Sequence, residues 1–426
     1  MSRAARSARY RRSGRAPDHP RRSPPVGSPW HASDVSTTEA VPAGRARRSL
    51  RPLIFGAVIT TVLALLFGVP WWTLVVAGAH WPTAVVAAGT VLFVAGLVAL
   101  PVLMFVGHGR HLDWAARTGD TLLGVVWVLF AWAVLGAVLK IVLALAGVAD
   151  PTRSRIVALA VILVALVLIP WGYLEAMRVP RIRRVDVTVP RLGAGLSGLR
   201  VVLLTDTHYG PIDRAGWSAA VVAAVNGLDA DLVCHTGDIA DGSVAQRLAQ
   251  AAPLGEVQAR LGRTYVTGNH EYFGEAQEWL DHMAALGWEA LHNRHVVVER
   301  DGARLVVAGV DDATAAGSGR PGHRADHATA LAGADPELPV LLLAHQPKQI
   351  GEAVAHGVDL QLSGHTHGGQ MWPFHLLVRV DQPTVQGLTR WGERTQLYTS
   401  RGTGFWGPPF RIFAPSEITL LTLRTG

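Results

Sequence analysis

The chain has 426 residues, of which 49% are apolar and 17% charged, with a formal net charge of +7. The length suits two or three units, and the apolar excess is membrane-like. The positive charge is local. Residues 1–51 hold 12 Arg against three acids, Asp18, Asp34 and Glu39, and the remainder is close to neutral. A basic tail of this kind does not argue for a nucleic-acid-binding domain, and no nucleic-acid partner is expected. The single cysteine, Cys234, excludes an intrachain disulfide.

The tail is rich in Arg, Ser, Pro, Gly and Ala and lacks apolar periodicity, so it reads as disordered. Four long apolar stretches follow, over residues 53–76, 84–106, 122–148 and 156–177. Each is long enough to cross a hydrocarbon core of about 30 Å as a helix. Trp71, Trp72, Trp81 and Trp171 lie near stretch ends, where indole rings favour the interface. The Arg placement sets the orientation. The tail, the second connection (Arg110, Arg117) and the segment after the fourth stretch (Arg178, Arg181, Arg183, Arg184) are all basic. This predicts a multi-pass protein of the cell membrane with everything after Met177 on the cytoplasmic side. Arg47-Arg48-Ser49-Leu50 also resembles a twin-arginine export signal, with Ala77-Gly78-Ala79 as a cleavage site. Three further spans argue against a plainly exported protein. Lys140, deep in the third stretch, is expected to snorkel to the far interface.

After Pro180 the pattern becomes an α/β rhythm. Strands are predicted at 185–189, 199–204, 232–235, 264–267, 304–310, 340–343 and 359–362, and helices at 217–226 and 276–286. The expected organisation is a tail (1–51), a four-helix transmembrane region (52–178), a connector with the first strand (179–198) and an α/β domain (199–426).

Five polar clusters each follow an apolar run: Thr205-Asp206-Thr207-His208, Thr236-Gly237-Asp238, Gly268-Asn269-His270-Glu271, Ala344-His345-Gln346-Pro347 and Gly364-His365-Thr366-His367. Strand ends on one sheet edge are where ligands bind in α/β proteins, and imidazole is the commonest side-chain metal ligand. Singly, each cluster also reads as a turn or a cap. Together, in this order, they supply enough donors for two metal ions.

Asp-x-His, Gly-Asp, Gly-Asn-His-Glu, His and Gly-His-x-His resemble the calcineurin-like metallophosphoesterase superfamily. Ser363-Gly-His-Thr-His-Gly-Gly-Gln370 with Gly268-Asn-His-Glu-Tyr272 looks like its membrane-associated bacterial branch, typified by YkuE and YaeI. The resemblance covers roughly residues 185–426. It implies a four-layer sandwich, two mixed β-sheets flanked by helices, with a binuclear metal centre at strand ends. By that resemblance Asp206, His208 and His367 would hold one ion, Asn269, His345 and His365 the other, and Asp238 would bridge them. Such donors favour Mn, Fe or Zn over Mg or Ca. Two ions about 4 Å apart can share a hydroxide that attacks phosphorus in line. His270 resembles the family's catalytic histidine, which stabilises or protonates the leaving group.

Glu271 reads either as a carboxylate orienting a histidine from behind the ligands or as a helix-start carboxylate. His235 reads as a residue behind the ligands or as a buried, hydrogen-bonded histidine. Asp311 and Asp312 read as a turn, His323 and His327 as solvated loop residues, and Phe405–Phe410 as a packed turn that could also wall a pocket or touch lipid. After Asp238 the chain reads Ile-Ala-Asp-Gly, without the Asp-Arg-Gly that gives Ser/Thr protein phosphatases a phosphate-clamping Arg. The expectation is therefore a membrane-anchored di-metal hydrolase of a phosphomonoester or phosphodiester, with phospholipid or another lipid-linked phosphate among the substrates. The alternatives are a cyclic-nucleotide phosphodiesterase or a non-catalytic membrane sensor of a phosphorylated ligand.

Overall fold

A computed structural model of the protein describes residues 51–426; the tail up to Leu50, with its twin-arginine motif, lies outside the described residues. Contacts divide the chain into two units at Val62/Leu63, and the architecture below belongs to the unit from Leu63 onward, apart from the start of the first helix. Four helices open the chain: α1 (Arg51–Trp71), α2 (Thr83–Met104), α3 (Asp113–Leu145) and α4 (Thr152–Met177). Counting the looser turns that end α1 and α2, all four are long and apolar enough to cross a membrane. In hydrocarbon the backbone must satisfy its own hydrogen bonds, which a helix does. This makes the chain a membrane protein. α1 and α2 each end in a π turn shortly after an internal proline, Pro70 and Pro101. Proline lacks the N–H and clashes with the carbonyl four residues back, which loosens the ladder there.

α3 begins at Asp113, nine residues before the apolar run, because Trp114–Thr121 carry no helix breaker except one glycine. That extra length buries Ala115, Ala116, Gly119 and Asp120. Lys140 does reach the end of α3 remote from the globular domain, but its ammonium donates to the Ala77 carbonyl at 2.9 Å.

The domain contains twelve strands, five more than predicted. They are β1 (Arg181–Val189), β2 (Leu199–Leu204), β3 (Leu232–His235), β4 (Gly262–Tyr265), β5 (Glu289–Ala290), β6 (Arg294–Arg300), β7 (Ala303–Gly309), β8 (Val340–Leu343), β9 (Leu360–Ser363), β10 (Gly387–Trp391), β11 (Thr395–Thr399) and β12 (Glu417–Thr425). One mixed sheet runs β1-β12-β2-β3-β4-β5 and the other β10-β11-β9-β8-β7-β6. The missed strands are very short (β5), centred on few apolar residues (β6, β10, β11) or beyond the motifs (β12). β12 lies parallel to β1 and antiparallel to β2, so the chain's last segment completes the sheet that its first domain strand began.

Side chains of the two sheets meet in one core, with Val201, Leu203 and Cys234 facing Val307, Leu341 and Leu362. The outer face of the first sheet packs on α5 (Ala215–Asn226), α6 (Val244–Ala251) and α8 (Ala276–Ala285), a short α7 (Asn269–Tyr272) lying between α6 and α8. The outer face of the second sheet packs on the helix Ile350–Ala355 and its neighbours. The four-layer sandwich is therefore present.

The domain seats on the helices through an apolar seam. Met371, Phe410 and Ile412 pack with Val128 of α3 and with Ala165 and Leu168 of α4. Trp132 meets Trp372 at 5.7 Å and Trp127 meets Phe374 at 5.5 Å between ring centroids. Gly124 makes room for this: a Cβ there would lie 2.4 Å from the Phe410 ring. An ion pair, Arg247 Nη2 to Asp113 Oδ1 at 2.7 Å, fixes the start of α3 to α6.

Candidate metal centre

Each predicted donor lies just past a strand end on the edge shared by the two sheets. Asp206 and His208 follow β2, Asp238 follows β3, Asn269 and His270 open α7 after β4, His345 follows β8, and His365 and His367 follow β9. The backbone is bent to aim them. Asp206, His208, Asp238, His365 and His367 all have positive φ, between 42° and 68°. Non-glycine residues avoid this region, and several together mark a functional site. Gly364 allows the two sheets to close: a Cβ there would lie 2.2 Å from Asp206 Oδ2.

The donors converge as two groups. In the first, His208 Nε2 lies 3.1 Å from His367 Nε2, and His367 Nε2 lies 3.4 Å from Asp206 Oδ1. In the second, His345 Nε2 lies 3.1 Å from Asn269 Oδ1, 3.3 Å from His365 Nδ1 and 3.1 Å from Asp238 Oδ2. Asp238 Oδ2 is also 3.5 Å from His208 Nε2, so this carboxylate touches both groups. Donors sharing one ion at bonds of about 2.1 Å stand about 3.0–3.4 Å apart, and these distances fit.

The chemistry of the donors fits as well. His345 Nδ1 donates to the Thr236 carbonyl at 2.8 Å, which leaves Nε2 facing acceptors. A nitrogen in that position needs a positive centre, either a proton or a metal ion. His208 Nδ1 is likewise held by Asp241 Oδ1 at 3.0 Å, freeing Nε2 to bind. His367 is the exception. Arg411 Nη2 approaches its Nδ1 at 3.2 Å, so ligation through Nε2 requires that this nitrogen gain a proton and the guanidinium shift. The protonation equilibria follow the same crowding. Burial pushes the Asp206 carboxyl up, with the neighbouring Asp238 charge adding to it. Burial also opposes ionisation of Asp238, but the imidazoles of His345 and His270 outweigh it and hold that carboxyl well below the usual range. Burial lowers His365 to about 3, so its ring is neutral and able to coordinate.

Two predicted residues sit behind the ligands. Glu271 does not orient a histidine. Its carboxylate accepts from the backbone N–H of Gly268 (2.7 Å), Asp238 (3.0 Å) and Ile239 (2.8 Å), tying the turn after β3 to the turn after β4. Burial raises Glu271 to about 7, with Asp238 adding to the rise. His235 is buried and hydrogen-bonded: Nδ1 accepts from Gly237 N at 3.2 Å and Nε2 contacts Thr207 Oγ1 at 3.3 Å.

His270 Nδ1 lies 2.7 Å from Asp241 Oδ1. Burial would lower its pKa, but the carboxylates of Asp238 and Asp241 outweigh burial and raise it to about 9. Asp241 thus holds both His208 and His270. The sequence offered it only as part of the Ile-Ala-Asp-Gly departure; the Tyr209–Ala240 bridge brings it under His208. Arg411 and Arg214 carry no local signal and reach the site only through tertiary structure.

One other expectation is corrected. His323 and His327 are buried, not solvated. Tyr272 Oη and Gln277 Oε1 each hold His323 at 3.2 Å, and His327 stacks on His356. Asp312 accepts from Gln346 Nε2 at 3.0 Å beside His345, and Asp311 pairs with His292 at 2.6 Å. The Phe405–Phe410 loop walls a cleft next to His208 and also forms part of the seam.

The sequence profile of the calcineurin-like phosphoesterases matches residues 199–369. The chain is 38% identical over 278 residues to a zebrafish (Danio rerio) transmembrane protein with metallophosphoesterase domain, covering 64% of this chain and 63% of that protein. It is 35% identical over 290 residues to the uncharacterized metallophosphoesterase Cj0846 of Campylobacter jejuni, covering 67% and 75%. It is 28% identical over 265 residues to the uncharacterized metallophosphoesterase YkuE of Bacillus subtilis, covering 60% and 90%. The chain belongs to the calcineurin-like metallophosphoesterase family. It spans 63% of the zebrafish relative and 65% of its bovine counterpart.

Proposed function

We propose that the chain is a metal-dependent phosphoric ester hydrolase, acting on a phosphomonoester or phosphodiester at the membrane. The observation that carries this reading is Asp238, a buried carboxylate in contact with both donor groups. Asp206, His208 and His367 would hold one ion, and Asn269, His345 and His365 the other. Two ions there would supply an activated water-derived nucleophile near neutral pH and neutralise phosphoryl oxygens. Mn, Fe or Zn suits the imidazole-rich set.

The chain's own residues do the rest. Asp241 orients His208 and keeps His270 protonated, and His270, 12% exposed at its side chain, gives its proton to the leaving oxygen. Glu271 fixes the two turns that present Asp238 and Asn269. We place the domain on the cytoplasmic side, supported by Arg residues at α1, at the α2–α3 connection and after α4. A substrate borne by the membrane suits a site this close to the helices.

The test is hydrolysis of bis(4-nitrophenyl) phosphate by full-length protein in detergent with Mn²⁺. Turnover should vanish with chelator, and His270→Ala should cost at least about 100-fold on a dialkyl phosphate, whose leaving alkoxide needs the proton, and far less on this nitrophenyl ester. Absence of turnover of both mono- and diesters by protein carrying two metal ions would refute it.

A further inference from the structure

The cleft beside the metal centre is built partly from a membrane helix. On one side stand His208, Asp241, Arg214 and Phe405; on the other stand Arg117 and Asp120 of α3. Its two carboxylates are already engaged, Asp241 with His208 and His270, and Asp120 with His108 at 3.0 Å. One cation is not. Arg214 is 4% exposed and its Nη2 donates to the carbonyls of Thr207 (2.6 Å) and His208 (2.5 Å). Its Nη1 is buried and has no hydrogen-bond partner among the described residues. A buried guanidinium N–H without an acceptor is costly and suits an anionic oxygen in the cleft.

The same helix leads from this cleft to an apolar groove. Arg117, Thr121 and Val125 are spaced by four and share one face of α3. That face runs about 12 Å from cleft to groove at the helical rise per residue. The groove is a hollow of about 410 Å³ between α3 and α4, lined by Thr121, Val125, Ile169, Tyr173, Leu174 and Phe410. Its lining is almost wholly apolar, and it opens between two spans at the domain end of the helices. Pro409 walls the cleft and Phe410 the groove, so the two are adjacent along the chain as well as along α3.

We infer that the groove takes one acyl or prenyl chain of a phosphoester lipid whose phosphate sits at the metal centre with one oxygen in the cleft, whose free volume of about 20 Å³ suits a single oxygen-sized group. The inference rests on the phosphoesterase reading and adds the substrate class. The lipid would come from the leaflet on the domain side, tail between α3 and α4, head against Arg214 and the metal centre. Arg117, exposed at the mouth, faces the level at which the headgroup would pass.

Full-length, metal-loaded protein in nanodiscs is given hexadecyl 4-nitrophenyl phosphate and, separately, ethyl 4-nitrophenyl phosphate. The reacting bond is the same and only the tail differs. Leu174→Trp fills the groove from a residue 68% exposed, so the packed interior is untouched. It should lower the hexadecyl-to-ethyl ratio of kcat/KM about tenfold, an effect comparable to losing a well-buried hydrocarbon segment. Thr121→Trp, on the opposite wall, should do the same. Leu163→Trp, on α4 at a lipid-facing position 64% exposed, should leave the ratio unchanged. An unchanged ratio in both groove variants, or an equal fall in Leu163→Trp, overturns the inference. Turnover of the ethyl ester alone also overturns it while leaving the phosphoesterase reading standing. Turnover of neither ester by protein that hydrolyses 4-nitrophenyl phosphate or bis(4-nitrophenyl) phosphate also overturns it and leaves the phosphoesterase reading standing; turnover of none of the four sinks that reading itself.

Discussion

Two regions of this molecule do opposite things with the same backbone. At the shared strand-end edge, five non-glycine residues sit at positive φ and buried carboxylates face imidazoles at 3.1–3.5 Å. At the seam between helices and domain, rings and methyl groups interlock around Gly124 and Gly172, with little charge. The first region stores strain and unbalanced polarity, which only a bound cation or proton relieves. The second is satisfied as it stands. The difference teaches where to expect ligand dependence: losses at the edge should appear as metal and activity, losses at the seam as stability.

The sharpest break comes at the edge. Asp238→Ala removes the one carboxylate common to both donor groups, and activity should fall by at least about 10³-fold. Metal analysis of the purified variant should show fewer than two ions; full occupancy would remove Asp238 from the bridging role. A milder change sharpens the comparison. Asp241→Asn keeps the shape but removes the charge behind His208 and His270, and metal affinity should drop about 10- to 100-fold. The same change has a pH signature. His270 is raised to about 9 because Asp238 and Asp241 outweigh burial. A general acid works while protonated, so activity falls as pH rises through its pKa. Without the Asp241 charge that basic limb should move to lower pH, and a kcat/KM profile whose limb stays put would show that His270 does not draw its proton affinity from Asp241. The smallest effect belongs to the seam. Gly124→Val places a side chain where a Cβ would already lie 2.4 Å from Phe410. It should destabilise the protein by about 1–3 kcal/mol, read as a lower Tm in detergent, with metal content unchanged. Loss of metal in this variant would blur the distinction between the two regions.

Much of the edge was legible in the sequence because its residues obey a local rule: a short apolar run, then a polar donor. Asp206, Asp238, His345 and the His365/His367 pair each follow that rule, and they fall where it places them. The four spans were legible for a similar reason, since length and hydropathy suffice. Asp241 was not, because nothing local distinguishes it from any loop aspartate; its role depends on a turn that returns it beneath His208. Arg214 and Arg411 depend on whole-domain packing. The early start of α3 was hidden too. Residues 113–121 are not apolar enough to join the span; Ala116 and Gly119 pack on the end of α2 at Gly107, Leu103 and Met104, and Asp113 pairs with Arg247 of the domain. His323 and His327 misled because a Gly- and Ala-rich neighbourhood resembles exposed loop, while the burial comes from residues distant in sequence.

Only Arg178, Val179 and Pro180 separate the end of α4 from the start of β1. A three-residue link holds the domain like a short mooring line, and the seam leaves it no slack. A domain so held has no reach toward a second bilayer. On the lipid substrate proposed above, its encounters would be those of a two-dimensional fluid, and its velocity would follow the mole fraction of that lipid in the surrounding leaflet rather than the amount per volume of cell. Diluting the bilayer with inert lipid should therefore slow it at constant total substrate, a dependence that a freely tethered domain would escape.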